Sequence, residues 1–188
     1  MEIYIVRHTT PDIEKGICYG QSDLDLAHTF PGEANAILKG IPGYENFKVI
    51  SSPLKRCSLL AKRFNETMIV DDRLKELDFG DWELKKWDDI PEKDINPWMQ
   101  DFVNVTVPNG ESYVDLASRT NEFFEELKHS NDANNLIVVT HAGVIRAFLS
   151  NLLGIPLKKS FSIKLEYGDC FHLKKEDNAF KLMTPVDI

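Results

Sequence analysis

Short apolar runs alternate with amphipathic helical patterns along this chain of 188 residues. The runs are rich in valine and isoleucine, are bounded by polar residues or glycine, and predict β-strands. They occupy residues 2–6, 48–51, 68–71, 136–140 and 169–173. Strands that alternate with helices are typical of a mainly parallel sheet covered on both faces. The sequence therefore predicts a three-layer α/β/α sandwich.

Three segments between the strands show helical periodicity. Apolar residues recur every three or four positions over 54–64 and 113–127, as expected of helices with one buried face. A third helix is predicted over 142–153, ended by Gly154 and Pro156.

Two segments depart from this alternation. Residues 164–174 and 180–183 flank the turn-forming residues 176–179, which predicts a hairpin and an antiparallel edge to the sheet. The stretch 82–108 is interrupted by three prolines, and we expect it to cover the functional site. Without a repeat or a linker, residues 1–188 are expected to form one domain.

Composition restricts the class of function. A hydrophobic fraction of 43% and a charged fraction of 28% are ordinary for a soluble globular protein. Lys and Arg total 22 and Asp and Glu total 30, so the net charge of −8 argues against nucleic acid as a partner. An anionic substrate would need a local positive site, because the nearest charges dominate the field in a cleft.

Cysteine usage and hydropathy indicate the compartment. The three cysteines are Cys18, Cys57 and Cys170, and their spacing is not that of metal ligands. One of them would remain unpaired if the other two formed a disulfide, which favours reduced thiols in a cytoplasm. The apolar runs are too short for a signal peptide or a membrane span, so no membrane partner is expected. A homodimer is compatible with the sequence.

Four motifs follow predicted elements at separated positions. Arg7 and His8 stand directly behind the first strand, at the end of a sheet where ligands bind in α/β proteins. The other motifs are Ser-Ser-Pro-Leu-Lys-Arg at 51–56, Leu-Lys-Glu-Leu-Asp-Phe-Gly at 74–80, and Val-Val-Thr-His-Ala-Gly at 138–143. In this order and at about this spacing they resemble the histidine phosphatase superfamily, the phosphoglycerate mutase-like proteins. The resemblance covers nearly the whole chain and implies their fold and a phosphohistidine intermediate.

The resemblance assigns chemical roles to four of these residues. His8 is the candidate nucleophile, because a neutral imidazole nitrogen can attack phosphorus once a backbone carbonyl fixes its tautomer. Arg7 and Arg56 would bind phosphoryl oxygens, and Pro53 places Arg56 near a helix N-terminus that favours anions. His141 would donate a further hydrogen bond to the phosphoryl group that is transferred. We therefore expect all four to be catalytic, and Arg7, Arg56 and His141 also to bind substrate.

Glu76 is the candidate general acid and a further substrate-binding residue. By chemistry alone Asp78 and Glu83 are nearly equal rivals, and the resemblance of 74–83 to the acid-bearing loop of the family decides for Glu76. No metal or other cofactor is required, since the histidines and carboxylates lack compact ligand spacing. His28 and His129, like His172, are interpreted as surface or structural residues.

The segment Gly-Ile-Cys-Tyr-Gly-Gln-Ser-Asp at 16–23, with Arg-His-Thr-Thr-Pro at 7–11, is similar to the α-ribazole phosphatases of cobalamin nucleotide-loop assembly. This resemblance makes Tyr19, Gly20 and Gln21 candidates for contacting the alcohol part of the ester, the alternative being a surface turn.

Four aromatic residues lie near the acid-bearing loop, and could stack on a flat base or belong to the core: Trp82, Trp87, Trp98 and Phe102.

The resulting hypothesis is a metal-independent phosphomonoester hydrolase that acts on α-ribazole 5′-phosphate. The alternatives are a broad-specificity sugar-phosphate or nucleotide phosphatase, a phosphoglycerate mutase, and a non-catalytic phosphate-binding protein. The mutase is disfavoured, because mutases of the family generally carry a longer insertion that this chain does not have.

Overall fold

The computed structural model describes residues 1–130, 132 and 134–188. Its strands are β1 (Glu2–Arg7), β2 (Lys48–Ser51), β3 (Ile69–Val70), β4 (Leu136–Thr140), β5 (Cys170–Glu176) and β6 (Ala179–Leu182). Its α-helices are α1 (Phe30–Lys39), α2 (Lys55–Phe64), α3 (Glu92–Gln100), α4 (Tyr113–His129) and α5 (Ala142–Leu153). No helix among the described residues combines the length and the hydropathy needed to span a bilayer.

The six strands form one sheet in the order β3-β2-β4-β1-β5-β6. The first four in this order run parallel, whereas β5 and β6 are antiparallel to their neighbours. This arrangement confirms the predicted α/β fold with its antiparallel edge. Because β2, β4 and β1 are parallel neighbours, the residues that follow them meet at one edge of the sheet.

Apolar side chains cover both faces of the sheet. On one face, Ile5 and Val138 pack with α4 and α5 through Leu116, Ile145 and Leu149. On the other face, Val6 and Val139 pack with α1 and α2. Every residue of β4 is buried, as expected for a strand inside a three-layer sandwich. The strand ends that bear the motifs are thereby fixed from both sides.

Two helices were not predicted from the sequence. Helix α1 has Pro31 in its first turn, where the missing amide hydrogen costs nothing. Helix α3 lies within 82–108 and contains Pro97, a residue that usually ends a helix. The segment 82–108 is therefore partly helical.

The edge elements differ in extent from the predicted ones. Strand β3 is shorter than 68–71, and β5 begins at Cys170, several residues after the start of the predicted hairpin arm. The hairpin itself is present, with Asp177 and Asn178 between its strands. Asp177 has φ 51°, a left-handed conformation that suits a two-residue hairpin turn.

Candidate active site

A cavity of about 180 Å³ opens at the carboxyl end of β1. It is bounded by polar groups on one side and by aromatic rings on the other. The lining residues are Arg7, His8, Tyr19, Glu76, Leu77, Phe79, Trp98, Phe102, Tyr113, Ala142, Gly143, Arg146 and Phe161.

His8 follows β1 directly and is 2% exposed. Its backbone amide donates to the carbonyl of Thr140 at 3.0 Å, which ties it to the end of β4. Its ring Nδ1 lies 2.7 Å from the carbonyl oxygen of Thr9. Because a carbonyl oxygen only accepts, Nδ1 carries the proton and Nε2 keeps its lone pair. The geometry thus supplies the tautomer that a nucleophilic imidazole needs.

Two arginines lie beside His8. The Arg7 Nη1 donates to the carbonyl of Leu165 at 2.8 Å. The Arg56 Nη1 and Nη2 donate to the carbonyls of Ser22 and Gly20 at 2.8 Å and 2.6 Å. Among the described residues neither guanidinium forms an ion pair, and the buried Nε of each has no hydrogen-bond partner. Uncompensated cations with free donors are suited to binding an anion.

Arg56 occupies the second residue of α2, as the sequence predicts, and is completely buried. The backbone carbonyls of the 20–22 loop hold its side chain in place.

His141 immediately precedes α5 and is completely buried. Its ring centroid lies 5.1 Å from that of His8. Its Nε2 lies 2.8 Å from Oγ of Ser52 and 3.3 Å from Sγ of Cys57, both from the end of β2 and the start of α2. His141 therefore adjoins His8, but neither His141 nor Arg56 is among the residues that line the cavity, whereas Arg7 and Glu76 are.

Glu76 lies in the cavity wall at the N-terminus of α5. Its Oε1 accepts from the amides of Leu77 and Gly143 at 3.0 Å and 3.1 Å. A Cβ at Gly143 would come within 2.2 Å of the same oxygen, so this close approach requires glycine. The two amides fix the carboxyl group near His8.

Gly143→Ala tests this placement. We expect the added methyl to displace the flexible Glu76 carboxylate rather than the backbone. The rate of ester hydrolysis should fall by about 10- to 100-fold, while the free energy of unfolding changes little. Steady-state kinetics and urea denaturation check both quantities, and an unchanged rate would contradict the placement of Glu76.

The two rival carboxylates are used elsewhere. Glu83 accepts from the amides of Gln21, Ser22 and Phe79 and from the Ser22 hydroxyl, and so anchors the 20–22 loop. Asp78 accepts from the amide of Gly80 at 2.8 Å. Neither lines the cavity, whereas Glu76 does.

The three candidates for alcohol binding have different positions. Tyr19 lines the cavity, but Gly20 and Gln21 do not. The carbonyl of Gly20 holds Arg56, and a Cβ at Gly20 would lie 2.1 Å from the carbonyl oxygen of Leu77. Gln21 donates through Nε2 to the carbonyl of Glu76 at 3.1 Å. Gly20 and Gln21 thus support the side chains of the site from outside the cavity.

The aromatic residues divide in the same way. Trp98 and Phe102 line the cavity. Trp82 and Trp87 do not line it and pack in an apolar cluster with Cys18, Ile90 and Val107, against which Trp98 also packs. Phe79 also lines the cavity; it lies in the 74–80 motif, which gave it no predicted role. Three further lining residues come from segments without a motif and were not identified from the sequence: Tyr113, Arg146 and Phe161.

Burial changes the protonation of the two site histidines. Burial, followed by the charge of Arg56, lowers the pKa of both His8 and His141 well below 6.5. Both rings are therefore neutral near pH 7, as an attacking imidazole must be.

This pKa depression predicts a loss of stability in acid. When the chain unfolds, each histidine regains a pKa of about 6.5 and binds a proton that it lacks in the folded state. The free energy of unfolding should therefore fall as the pH drops from 7 to 5.5, by at most about 1.4 kcal/mol per pH unit for each ring. Urea titrations across this range should show a smaller slope for His8→Gln, and an equal slope would contradict the assignment.

The comparisons with known proteins identify the family of this chain. The family model of the histidine phosphatase superfamily (branch 1) matches residues 3–187. The adenosylcobalamin/alpha-ribazole phosphatase of Salmonella typhimurium is 26% identical over 89% of this chain and 87% of its own length. Phosphoserine phosphatase 1 of Hydrogenobacter thermophilus is 28% identical over 95% of this chain and 90% of its own.

A solved structure supports the fold. The alpha-ribazole phosphatase from Shigella flexneri superposes with a TM-score of 0.88 at 20% identity, covering 100% of this chain and 96% of that one. Since the family model spans nearly the whole sequence, the protein belongs to branch 1 of the histidine phosphatase superfamily and is a phosphatase.

Proposed function

We propose that this phosphatase hydrolyses α-ribazole 5′-phosphate through a phosphohistidine on His8, in the cytoplasm and without a metal ion. The observation that supports this chemistry best is the hydrogen bond from Nδ1 of His8 to the carbonyl of Thr9. It leaves Nε2 with a lone pair beside two arginines that have no carboxylate partner among the described residues.

In the first step, Nε2 of His8 attacks phosphorus and the bond from phosphorus to the ester oxygen breaks. Glu76, protonated at this point, gives its proton to the leaving oxygen, so the product departs as a neutral alcohol. Arg7 and Arg56, with His141, stabilise the charge on the phosphoryl oxygens as the group transfers.

In the second step, water attacks phosphorus and the bond to Nε2 breaks. The Glu76 carboxylate takes a proton from the water, which restores its acid form. Inorganic phosphate leaves and His8 returns to its neutral state.

The aromatic wall of the cavity favours an ester with a flat apolar group. Trp98 and Phe102 lie 6.2 Å apart between ring centroids, and Phe161 stands 5.1 Å from Phe102. Rings in this arrangement bind planar apolar groups well. A dimethylbenzimidazole base has this chemistry, and one relative is named an alpha-ribazole phosphatase.

Arg146 favours a second candidate, phosphoserine. It lines the cavity from α5, with its Nε donating to the carbonyl of Ile163 at 3.2 Å and its guanidinium 5.1 Å from the Phe161 ring. Within the described ranges no carboxylate oxygen lies within ion-pair distance of it. An unpaired cation in an apolar wall suits a substrate carboxylate, and two relatives are named phosphoserine phosphatases.

Two variants separate the candidate substrates. If the base stacks on the aromatic wall, Trp98→Ala should raise KM for α-ribazole 5′-phosphate about tenfold and leave phosphoserine hydrolysis unchanged. If Arg146 binds a carboxylate, Arg146→Met should raise KM for phosphoserine alone. We expect the effect of Trp98→Ala on α-ribazole 5′-phosphate, and the rate of phosphate release measures it.

A substrate panel of α-ribazole 5′-phosphate, phosphoserine, sugar phosphates, nucleotides and phosphoglycerates tests the proposal as a whole. We expect strong preference for the ribazole ester and no effect of chelator. Weak rates of similar size for all substrates would favour a broad-specificity phosphatase. Release of an isomer of the phosphoglycerate substrate in place of inorganic phosphate would favour a mutase. A loss of rate in chelator that a divalent ion restores would contradict the metal-free mechanism.

A further inference from the structure

Tyr167 lies against the phosphate end of the site but belongs to none of the four motifs. Its ring centroid is 4.0 Å from Cζ of Arg7, which places the guanidinium over the ring face. Its ring is also 5.5 Å from the ring of His8. A cation over an aromatic face is attracted by the ring quadrupole, and a planar guanidinium is also oriented by stacking on the ring.

The turn that presents Tyr167 is fixed to the strand that bears the nucleophile. The amide of Arg7 donates to the carbonyl of Asp169 at 2.9 Å, and the amide of Gly168 donates to the carbonyl of His8 at 3.2 Å. Within the turn, the Glu166 amide donates to Oδ2 of Asp169 at 2.6 Å. The ring is therefore held in register with Arg7 and His8.

The hydroxyl of Tyr167 contacts the loop that bears Tyr19. It lies 2.5 Å from the hydroxyl of Tyr19, whose ring centroid is 5.4 Å from Cζ of Arg56. Each arginine thus has a tyrosine ring beside it, and the two rings are joined through their hydroxyls. Burial and this hydrogen bond raise the pKa of Tyr19, which keeps its phenol protonated.

We propose that Tyr167 is a positioning residue of the phosphate subsite, which orients Arg7 by stacking and fixes the distance between Arg7 and Arg56 through its bond to Tyr19. This inference rests on the proposed phosphoryl transfer at His8. The Nη1 bond to Leu165 fixes one end of the Arg7 guanidinium, and the Tyr167 ring fixes its plane. The Arg7 guanidinium is thereby held in one orientation at the cavity.

The test measures binding of orthovanadate, a phosphate analogue, by calorimetry and as an inhibitor. Tyr167→Leu should weaken vanadate binding about tenfold and lower kcat/KM in parallel for 4-nitrophenyl phosphate and for α-ribazole 5′-phosphate. Tyr167→Phe keeps the stacked ring but removes the hydroxyl bridge, so its loss should be smaller than that of Tyr167→Leu and equal to that of Tyr19→Phe. Tyr44→Leu, which removes a tyrosine packed on Phe64 away from the cavity, is the matched control and should leave vanadate binding unchanged.

The hydroxyl bridge has its own test. Tyr19→Phe and Tyr167→Phe remove the same hydrogen bond, so the double variant should be no weaker in vanadate binding than the worse single variant. Additive losses would contradict the bridge. Unchanged vanadate binding in Tyr167→Leu, with a raised KM for the ribazole ester alone, would show that Tyr167 contacts the alcohol and would overturn the proposal.

Failure of the proposed function gives a different result. If the wild-type protein binds vanadate in a Tyr167-dependent way but releases no phosphate from any ester, the positioning role stands and the catalytic proposal fails. Thermal unfolding of each variant tests for a folding defect. We expect little change in the unfolding temperature, because all of these substitutions keep an apolar side chain at a half-buried site.

Discussion

His8→Ala is expected to abolish phosphate release, with a loss on the order of 10⁴-fold or more in kcat. In the proposed mechanism, Nε2 of His8 forms the first new bond to phosphorus, and water attacks only in the second step. With the imidazole removed, the arginines still bind the phosphoryl group, so vanadate should still bind. The measurement is steady-state phosphate release from α-ribazole 5′-phosphate and from 4-nitrophenyl phosphate.

The control for this variant is His129→Ala. His129 has a side chain that is 60% exposed at the end of α4, and its removal should leave the rate unchanged. If His8→Ala retained a tenth or more of the wild-type rate on either ester, direct attack by water would be the better mechanism.

Glu76→Gln should separate esters by the quality of their leaving group. The glutamine oxygen can still accept from the amides of Leu77 and Gly143, so the geometry is kept while the proton is lost. For α-ribazole 5′-phosphate, whose leaving group is a poor alkoxide, we expect kcat to fall by about 10²- to 10⁴-fold. For 4-nitrophenyl phosphate, whose leaving oxygen hardly needs a proton, the fall should be much smaller.

Glu83→Gln is the matched comparison. Four donors converge on this carboxylate, and an amide nitrogen cannot accept from them. This variant should loosen the 20–22 loop and slow both esters to a similar extent. Equal effects of Glu76→Gln on the two esters would show that Glu76 is not the acid that protonates the leaving oxygen.

The sequence was sufficient for the architecture because the strands have a simple pattern. Strand β4 is apolar from Leu136 to Val139 and buried on both sides, and His8 and His141 directly follow β1 and β4. Parallel neighbours in a sheet bring such strand ends together, and the register pairs Arg7 with Thr140. The meeting of His8 with His141 follows from this rule.

Other features depend on tertiary contacts that no local pattern encodes. The proline inside α3 argues locally against a helix, and apolar packing over the cavity decides otherwise. Gly20 was predicted to contact the alcohol part of the ester, whereas the hydrogen bond from Arg56 to its carbonyl depends on how the 20–22 loop packs against α2. Tyr167 and Arg146 lie in segments without a motif, and the fold alone brings them to the site.

The most direct test of the mechanism is to trap the intermediate. Wild-type protein is mixed with a ³²P-labelled ester, quenched in alkali within milliseconds, and digested so that the labelled peptide can be identified by mass spectrometry. We predict alkali-stable, acid-labile label on His8 that forms and disappears fast enough to account for kcat. Label on another residue, or no label while phosphate is being released, would contradict catalysis through phospho-His8.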